Sequence, residues 1–273
     1  MKPYYEDDFA TIYHGDTLEV LDVLALGAGS VDAILTDPPY ASGARHEADK
    51  STRSGGMVRG QRFADKPIDN DRMTTTGFVW LMREVTLRTY DALVDGGSLV
   101  CFIDWRQWPN LVGAIETCNL RVQTMVVWDK RTLGMGNGFR QQHELACHAA
   151  KGVPNVYDRA TPNVLTVDRI DPDDHPSPKP VALIDRLLRV VTPSGGLILD
   201  PFMGTGRPME ASKAAGRRVI GIEKKEAYCE RAAERLTQTL ALVEHEFSIG
   251  APPALFPRDP STTPTEPATE GAA

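Results

Sequence analysis

Leu197-Ile198-Leu199-Asp200-Pro201-Phe202-Met203-Gly204-Thr205-Gly206 is an apolar run that ends in a carboxylate, a proline and a glycine-bearing turn. The run reads as a strand covered on both faces, and the turn as the entry to a helix over Pro208–Ala215. Glycines in such a turn let the backbone approach a ligand with no Cβ in the way. Past that helix, Arg218-Val219-Ile220-Gly221-Ile222-Glu223 is a second apolar strand closed by a carboxylate. An acidic side chain about 20 positions beyond a glycine turn is placed to hold ribose hydroxyls, so the pair reads as an adenosine-binding half-site. NAD binding competes on this motif alone. Against it, Met209 stands where a dinucleotide fingerprint wants a small residue, and no phosphate-binding Lys-Ser or Lys-Thr pair follows.

Outward from this stretch the same alternation continues. Apolar runs at Thr11–Tyr13, Val31–Thr36, Ser98–Ile103, Val122–Trp128 and Leu145–Ala149 read as further strands. Helical spacing covers Gly77–Leu93, Trp108–Cys118, Lys179–Val191 and Glu226–Leu242. Strands alternating with helices predict an α/β fold with a largely parallel sheet. The long Gly-, Arg- and Asp-rich stretch 41–76 breaks the pattern and is expected to be a functional or mobile loop. The stretch 151–175 is also irregular. The Pro- and Thr-rich tail, 250–273, has too little apolar content for a core and is expected to be disordered. One main domain over 1–249 follows from length and pattern.

Val31-Asp32-Ala33-Ile34-Leu35-Thr36-Asp37-Pro38-Pro39-Tyr40 runs from a buried strand into a rigid turn. In open α/β sheets ligands bind at the carboxyl ends of strands, which is where this turn falls. Pro38 lacks an N–H and is restricted by Pro39 to an extended conformation, so the direction of its carbonyl is preset. The Asp37 carboxylate and the Pro38 carbonyl can each accept one N–H of an exocyclic base amine and localise its lone pair. Tyr40 can stack on a base drawn out of a duplex. Asp and Pro are also common turn residues, so the tetrapeptide on its own also fits an ordinary strand-ending turn.

Composition limits the other function classes. The chain is 41% hydrophobic and 25% charged, with no run long enough to span a bilayer. Its first ten residues do not read as a secretory signal, so a cytoplasmic location is expected. Cys101, Cys118, Cys147 and Cys229 form no metal-ligand spacing, and His143 and His148 are poorly spaced for one face, so no metal site is expected. A net charge of −7 gives no general basic coat for nucleic acid. Between Arg45 and Arg72, however, seven basic residues face five acidic ones. A solvated loop explains that excess as well as a nucleic-acid contact does.

Taken together, these motifs resemble the β class of DNA amino-methyltransferases, which modify adenine N6 or cytosine N4. The landmarks, in order, are Gly15-Asp16, Asp37-Pro38-Pro39-Tyr40, Trp128-Asp129-Lys130, His143-Glu144, His175-Pro176-Ser177-Pro178-Lys179-Pro180 and Asp200-Pro201-Phe202-Met203-Gly204-Thr205-Gly206. The resemblance implies a seven-stranded, Rossmann-like methyltransferase sheet in a circularly ordered chain, with the catalytic motif before the cofactor motif. It implies S-adenosylmethionine as cofactor, held by Thr36, Asp200, Pro201, Phe202, Gly204, Thr205 and Gly206. Glu223 would take the ribose, Asp16 the adenine end, and His175 with Lys179 the methionine side. Asp37, Pro38, Pro39 and Tyr40 would be catalytic.

Double-stranded DNA is the implied partner, with target recognition in a small insertion at 130–174. Arg131, Asn137, Arg140, Gln141 and Gln142 supply base-reading groups there. An Asp at the first motif position leans toward adenine N6 among such enzymes. Cytosine N4 is the alternative, followed by a catalytically inactive nucleotide-binding regulator or an RNA methyltransferase. The resemblance leaves a homodimer open and says nothing of a restriction endonuclease partner. The chain departs from the pattern at Arg207-Pro208, where small hydroxyl residues are usual, although Pro208 suits a helix's first turn.

Overall fold

The computed structural model describes residues 1–39, 73–134, 138–170 and 179–249, with side chains through 239. Tyr40, His175, most of the 41–76 stretch and the 250–273 tail lie outside the described residues. Nine strands form one sheet among the described residues: β1 Tyr5–Glu6, β2 Ala10–His14, β3 Val31–Thr36, β4 Leu93–Ile103, β5 Arg121–Asp129, β6 His143–Ala150, β7 Val164–Thr166, β8 Leu197–Asp200 and β9 Arg218–Glu223. Their order is β1-β2-β9-β8-β3-β4-β6-β5-β7. The inner seven, β2 through β5 in that order, form the expected methyltransferase sheet, and short β1 and β7 extend its two edges. The helices are α1 Thr17–Leu24, α2 Thr75–Tyr90, α3 Trp108–Glu116, α4 Val181–Val191, α5 Arg207–Ala214 and α6 Glu226–Ile249. None of the described helices is long and apolar enough to cross a membrane.

Alternate residues of the central strands feed two cores. On one face Ala33, Leu35, Val100, Phe102 and Ile198 pack with Leu183, Leu187, Met209 and Leu236 of α4, α5 and α6. On the other, Ile34, Leu99, Cys101 and Leu199 pack with Val20, Phe78, Val85 and Leu111 of α1, α2 and α3. Burial on both faces is why these strands read as unbroken apolar runs. All four cysteines are buried and free.

Strand order creates the site. β3 pairs in parallel with both β8 and β4, while β8 pairs in parallel with β9, so the connections diverge on either side of the β8–β3 pair. Such a switch point opens a crevice at the carboxyl ends of its two strands. β6 then runs antiparallel between β4 and β5.

The boundaries shift where tertiary pairing overrides local pattern. The helix expected over Gly77–Leu93 starts at Thr75, capped by Thr74, and stops at Tyr90, because Leu93 already pairs with Val31. The helix expected from Lys179 starts at Val181, with Pro180 at its cap and Lys179 left outside. α6 continues past Leu242 to Ile249. α1 and the edge strands β1 and β7 have no counterpart among the expected elements. β6 and β7 both fall within 130–174, the stretch expected to carry target recognition.

Candidate active site

At the switch point, β3 ends in Thr36 and β8 in Asp200, and the Thr36 hydroxyl donates to Asp200 Oδ1 at 2.9 Å. The Phe202 amide donates to the same oxygen at 3.1 Å. Asp200 is 1% exposed, and its Oδ2 has no hydrogen-bond partner among the described residues. Burial pushes this carboxyl up to about 7; the Thr36 and Phe202 bonds oppose the shift, while the charges of Asp37 and Glu223 add to it. The folded protein therefore holds a proton that an unfolded Asp gives up near pH ~4. The stability this proton contributes is fully present below that pH and is lost as pH rises through about 7. Melting curves across this window should show a decline of at most about 1.4 kcal/mol per pH unit from this group. The Asp200→Asn variant should lack that part of the slope, and an unchanged slope in the variant would refute the assignment.

The glycine turn follows at once. Gly204 and Gly206 have φ of 54° and 77°, in the left-handed region. A Cβ on Gly206 would also stand 2.6 Å from Ala232 Cβ of α6, so no larger residue fits. The turn is tied to β9, with the Gly204 amide donating to Glu223 Oε2 at 3.1 Å and the Lys225 amide to Oε1 at 2.8 Å. Burial pushes the Glu223 carboxyl up against those bonds.

The neighbouring strand tip is held too. The Gly15 amide donates to the Glu223 carbonyl at 3.0 Å, and the Thr17 hydroxyl to the Pro201 carbonyl at 2.7 Å. Asp16 caps α1 by accepting from the Leu18 amide, and pairs with Lys224 at 3.2 Å. Asp16, Pro201, Phe202, Gly204, Thr205, Gly206 and Glu223 are thus gathered at the tips of β2, β8 and β9. Two carboxylates beside a glycine turn suit a nucleoside, whose hydroxyls donate. The orphaned Asp200 Oδ2 suits a ligand that brings a cation or an N–H.

On the other side of the crevice Asp37 meets a cluster of charge. Asp37 Oδ2 accepts from Lys179 Nζ at 2.5 Å, and Lys179 also pairs with Glu144 Oε2 at 3.3 Å. Lys130 Nζ reaches Glu144 Oε1 at 3.0 Å. Lys179 is 3% exposed, with its ammonium 4.9 Å from the centre of the Phe102 ring. Burial would raise the Glu144 carboxyl, but Lys179 and Lys130 outweigh it and hold it below the usual carboxylate range. Asp37 Oδ1 is buried with no hydrogen-bond partner among the described residues. Pro38 is buried beside it and Pro39 partly so. Lys179, expected beside the methionine end of a cofactor, has its ammonium on the Asp37 and Glu144 carboxylates.

Three residues of this region were not among the expected site residues. Lys130 and Glu144 appear in the sequence only as landmarks, and their pairing depends on β5 and β6 lying side by side. Trp105 follows the end of β4 and is half exposed, with the Arg106 guanidinium 5.0 Å from its ring centre. It lines a cavity of about 120 Å³ together with Asp104, Lys130 and Glu144. An aromatic residue just past the carboxyl end of a buried strand, in Phe102-Ile103-Asp104-Trp105, is the signal that could have found it.

The family model for DNA methylase, covering N6 and N4 amino-methyltransferases, matches residues 31–234, most of the chain and all the strand tips of the crevice except that of β2. The chain belongs to this DNA methylase family. The Escherichia coli (strain K12) protein YubD, named as a methylase, is 29% identical over 237 residues, spanning 87% of this chain and 92% of its own. The M1.HpyAVI–SAM complex superposes with a TM-score of 0.61 at 23% identity, covering 83% of this chain and 99% of that one. PvuII DNA methyltransferase, described as cytosine-N4-specific, gives a TM-score of 0.64 at 15% identity, covering 92% and 96%. The fold of this methylase is therefore the S-adenosylmethionine-dependent DNA methyltransferase fold.

Proposed function

We propose that this methylase transfers a methyl group from S-adenosylmethionine to N6 of adenine in double-stranded DNA. The observation that carries the reading is the Asp37 carboxylate, with one oxygen held by Lys179 and the other, Oδ1, buried and without a described partner. An exocyclic amine is a weak nucleophile because its lone pair is delocalised into the ring. Asp37 Oδ1 accepts one of its N–H groups and the Pro38 carbonyl the other, which makes the nitrogen more tetrahedral and aims its lone pair across the crevice. Tyr40 is assigned to stack on the extruded base, and half-exposed Trp105, just past the end of β4, offers a second aromatic face.

S-Adenosylmethionine supplies the electrophilic methyl when bound. The residues around the glycine turn fit it: Glu223 and Asp16 would accept from ribose and adenine groups, the glycine turn would admit close approach, and the Asp200 carboxyl, whose Oδ2 has no partner among the described residues, would offset its cationic charge. A carboxylate at the first position of the motif, where related cytosine-N4 enzymes commonly carry Ser, supports adenine. Incubation with labelled S-adenosylmethionine and mixed-sequence duplex DNA, followed by digestion to nucleosides, should yield N6-methyladenine. Recovery of N4-methylcytosine would overturn the adenine assignment.

A further inference from the structure

We propose that Lys130, Glu144 and Lys179 are positioning residues for Asp37, a relay of alternating charge that fixes which carboxylate oxygen faces the target amine. The inference rests on the amino-methylation reading above and extends it to side chains that do not themselves touch the base. The four groups come from four parts of the fold. Asp37 follows β3, Lys130 follows β5, Glu144 lies in β6 and Lys179 precedes α4. They are brought together as Lys130–Glu144 at 3.0 Å, Glu144–Lys179 at 3.3 Å and Lys179–Asp37 at 2.5 Å.

Burying an ammonium is costly unless it is paired and hydrogen-bonded, and the Lys179 side chain is only 2% exposed. One carboxylate would satisfy its charge but leave a flexible four-carbon stem to choose its own position. Glu144 supplies a second anchor and the Phe102 ring, 4.9 Å away, a third surface, so the ammonium has one place to be. Lys130 in turn offsets the charge of Glu144 and holds its other oxygen. Two positive and two negative groups balance, so the relay adds no net charge beside a cationic methyl donor. Lys179 then fixes Asp37 by occupying Oδ2, which leaves Oδ1 as the acceptor. Without Glu144 the ammonium loses its second carboxylate anchor, and a shift of the ammonium moves the Asp37 carboxylate with it. A misplacement of about 1 Å at a reacting group can cost as much as ~100-fold in rate.

A double-mutant cycle tests the relay, using Glu144→Gln, Lys179→Met and the double variant. Single-turnover methyl transfer to duplex DNA gives the rate, and calorimetry gives the Kd for S-adenosylmethionine. The rate should fall about 10-fold in Glu144→Gln and about 100-fold in Lys179→Met, and the double variant should match Lys179→Met within about twofold, because Glu144 acts only through Lys179. The Kd should stay within about twofold throughout. Independent losses that multiply in the double variant overturn the relay. So does a preserved rate with a Kd raised about tenfold, which would place Lys179 on the cofactor. If Lys179→Met does not fold, the cycle of Lys130→Met with Glu144→Gln takes its place, and multiplying losses there overturn the relay equally. A wild-type enzyme that methylates no base amine overturns both this inference and the reading beneath it. An active wild type with multiplying losses overturns this inference alone.

Discussion

Replacing Asp37 by Ala should lower methyl transfer at least about 1,000-fold while S-adenosylmethionine binds within about threefold of wild type. The substitution removes the only side-chain acceptor assigned to the target amine, and the cofactor side of the crevice, at Glu223 and the glycine turn, is built from other strands. Asp37→Asn should be nearly as inactive. Lys179 carries only donors, so the amide oxygen must turn toward it at the Oδ2 position, and the NH2 group is left facing the substrate amine. A donor then meets a donor. Single-turnover assays with saturating DNA, together with calorimetric binding of S-adenosylmethionine, check both variants. An Asn variant with near wild-type turnover would refute the assigned orientation of the carboxylate.

Replacing Asp7 by Ala should cost about 3–5 kcal/mol of stability, because it strips the carboxylate from a buried ammonium. The Lys213 side chain is 1% exposed and pairs with Asp7 Oδ2 at 2.5 Å, with the Leu236 carbonyl at 3.0 Å as its other acceptor. The pair clips the N-terminal hairpin to α5 and α6, the two helices that close on the glycine turn. Lys213→Met should cost less, since Asp7 keeps the Tyr5 hydroxyl and the Phe9 and Ala10 amides as donors. Burial alone would raise the Asp7 carboxyl, but Lys213, Tyr5 and the two amides outweigh it and hold it below the usual carboxylate range. Its contribution is therefore present above an unfolded value of about 3.9 and is lost as pH falls through the lowered folded value. Denaturant melts of wild type and Asp7→Ala should differ most near neutrality and converge in acid. Equal stability at pH ~7 would show that the pair does not anchor the helices.

Much of the fold was legible because its central strands are buried on both faces. Val31–Thr36 and Leu197–Leu199 each read as a mainly apolar strand with a carboxylate directly after it, Asp37 and Asp200, and each is a strand in the structure, the second running on to Asp200. α1 was missed because it is an eight-residue helix whose start signal, Asp16, also looked like a ligand-binding carboxylate. β7 was missed because three residues carry no period, and Val164–Thr166 is a strand only through its pairing with Val127–Asp129. The helix starts at Val181 rather than Lys179, which leaves the lysine ahead of the helix with its ammonium on Asp37.

The amino-acid order alone settles the alternation of strands and helices, the glycine turn with its downstream carboxylate, and the Asp-Pro-Pro-Tyr motif directly after a strand. Each of these is a local pattern, set by backbone dihedrals and by burial with a short period. The placement of β3 between β8 and β4 and the chain of pairs from Lys130 through Glu144 and Lys179 to Asp37 belong to the tertiary structure. Lys179 and Asp37 lie 142 positions apart, and nothing near either one states which carboxylate the ammonium will find. That choice follows from the cost of burying charge, met only where the sheet brings opposite charges within hydrogen-bond reach.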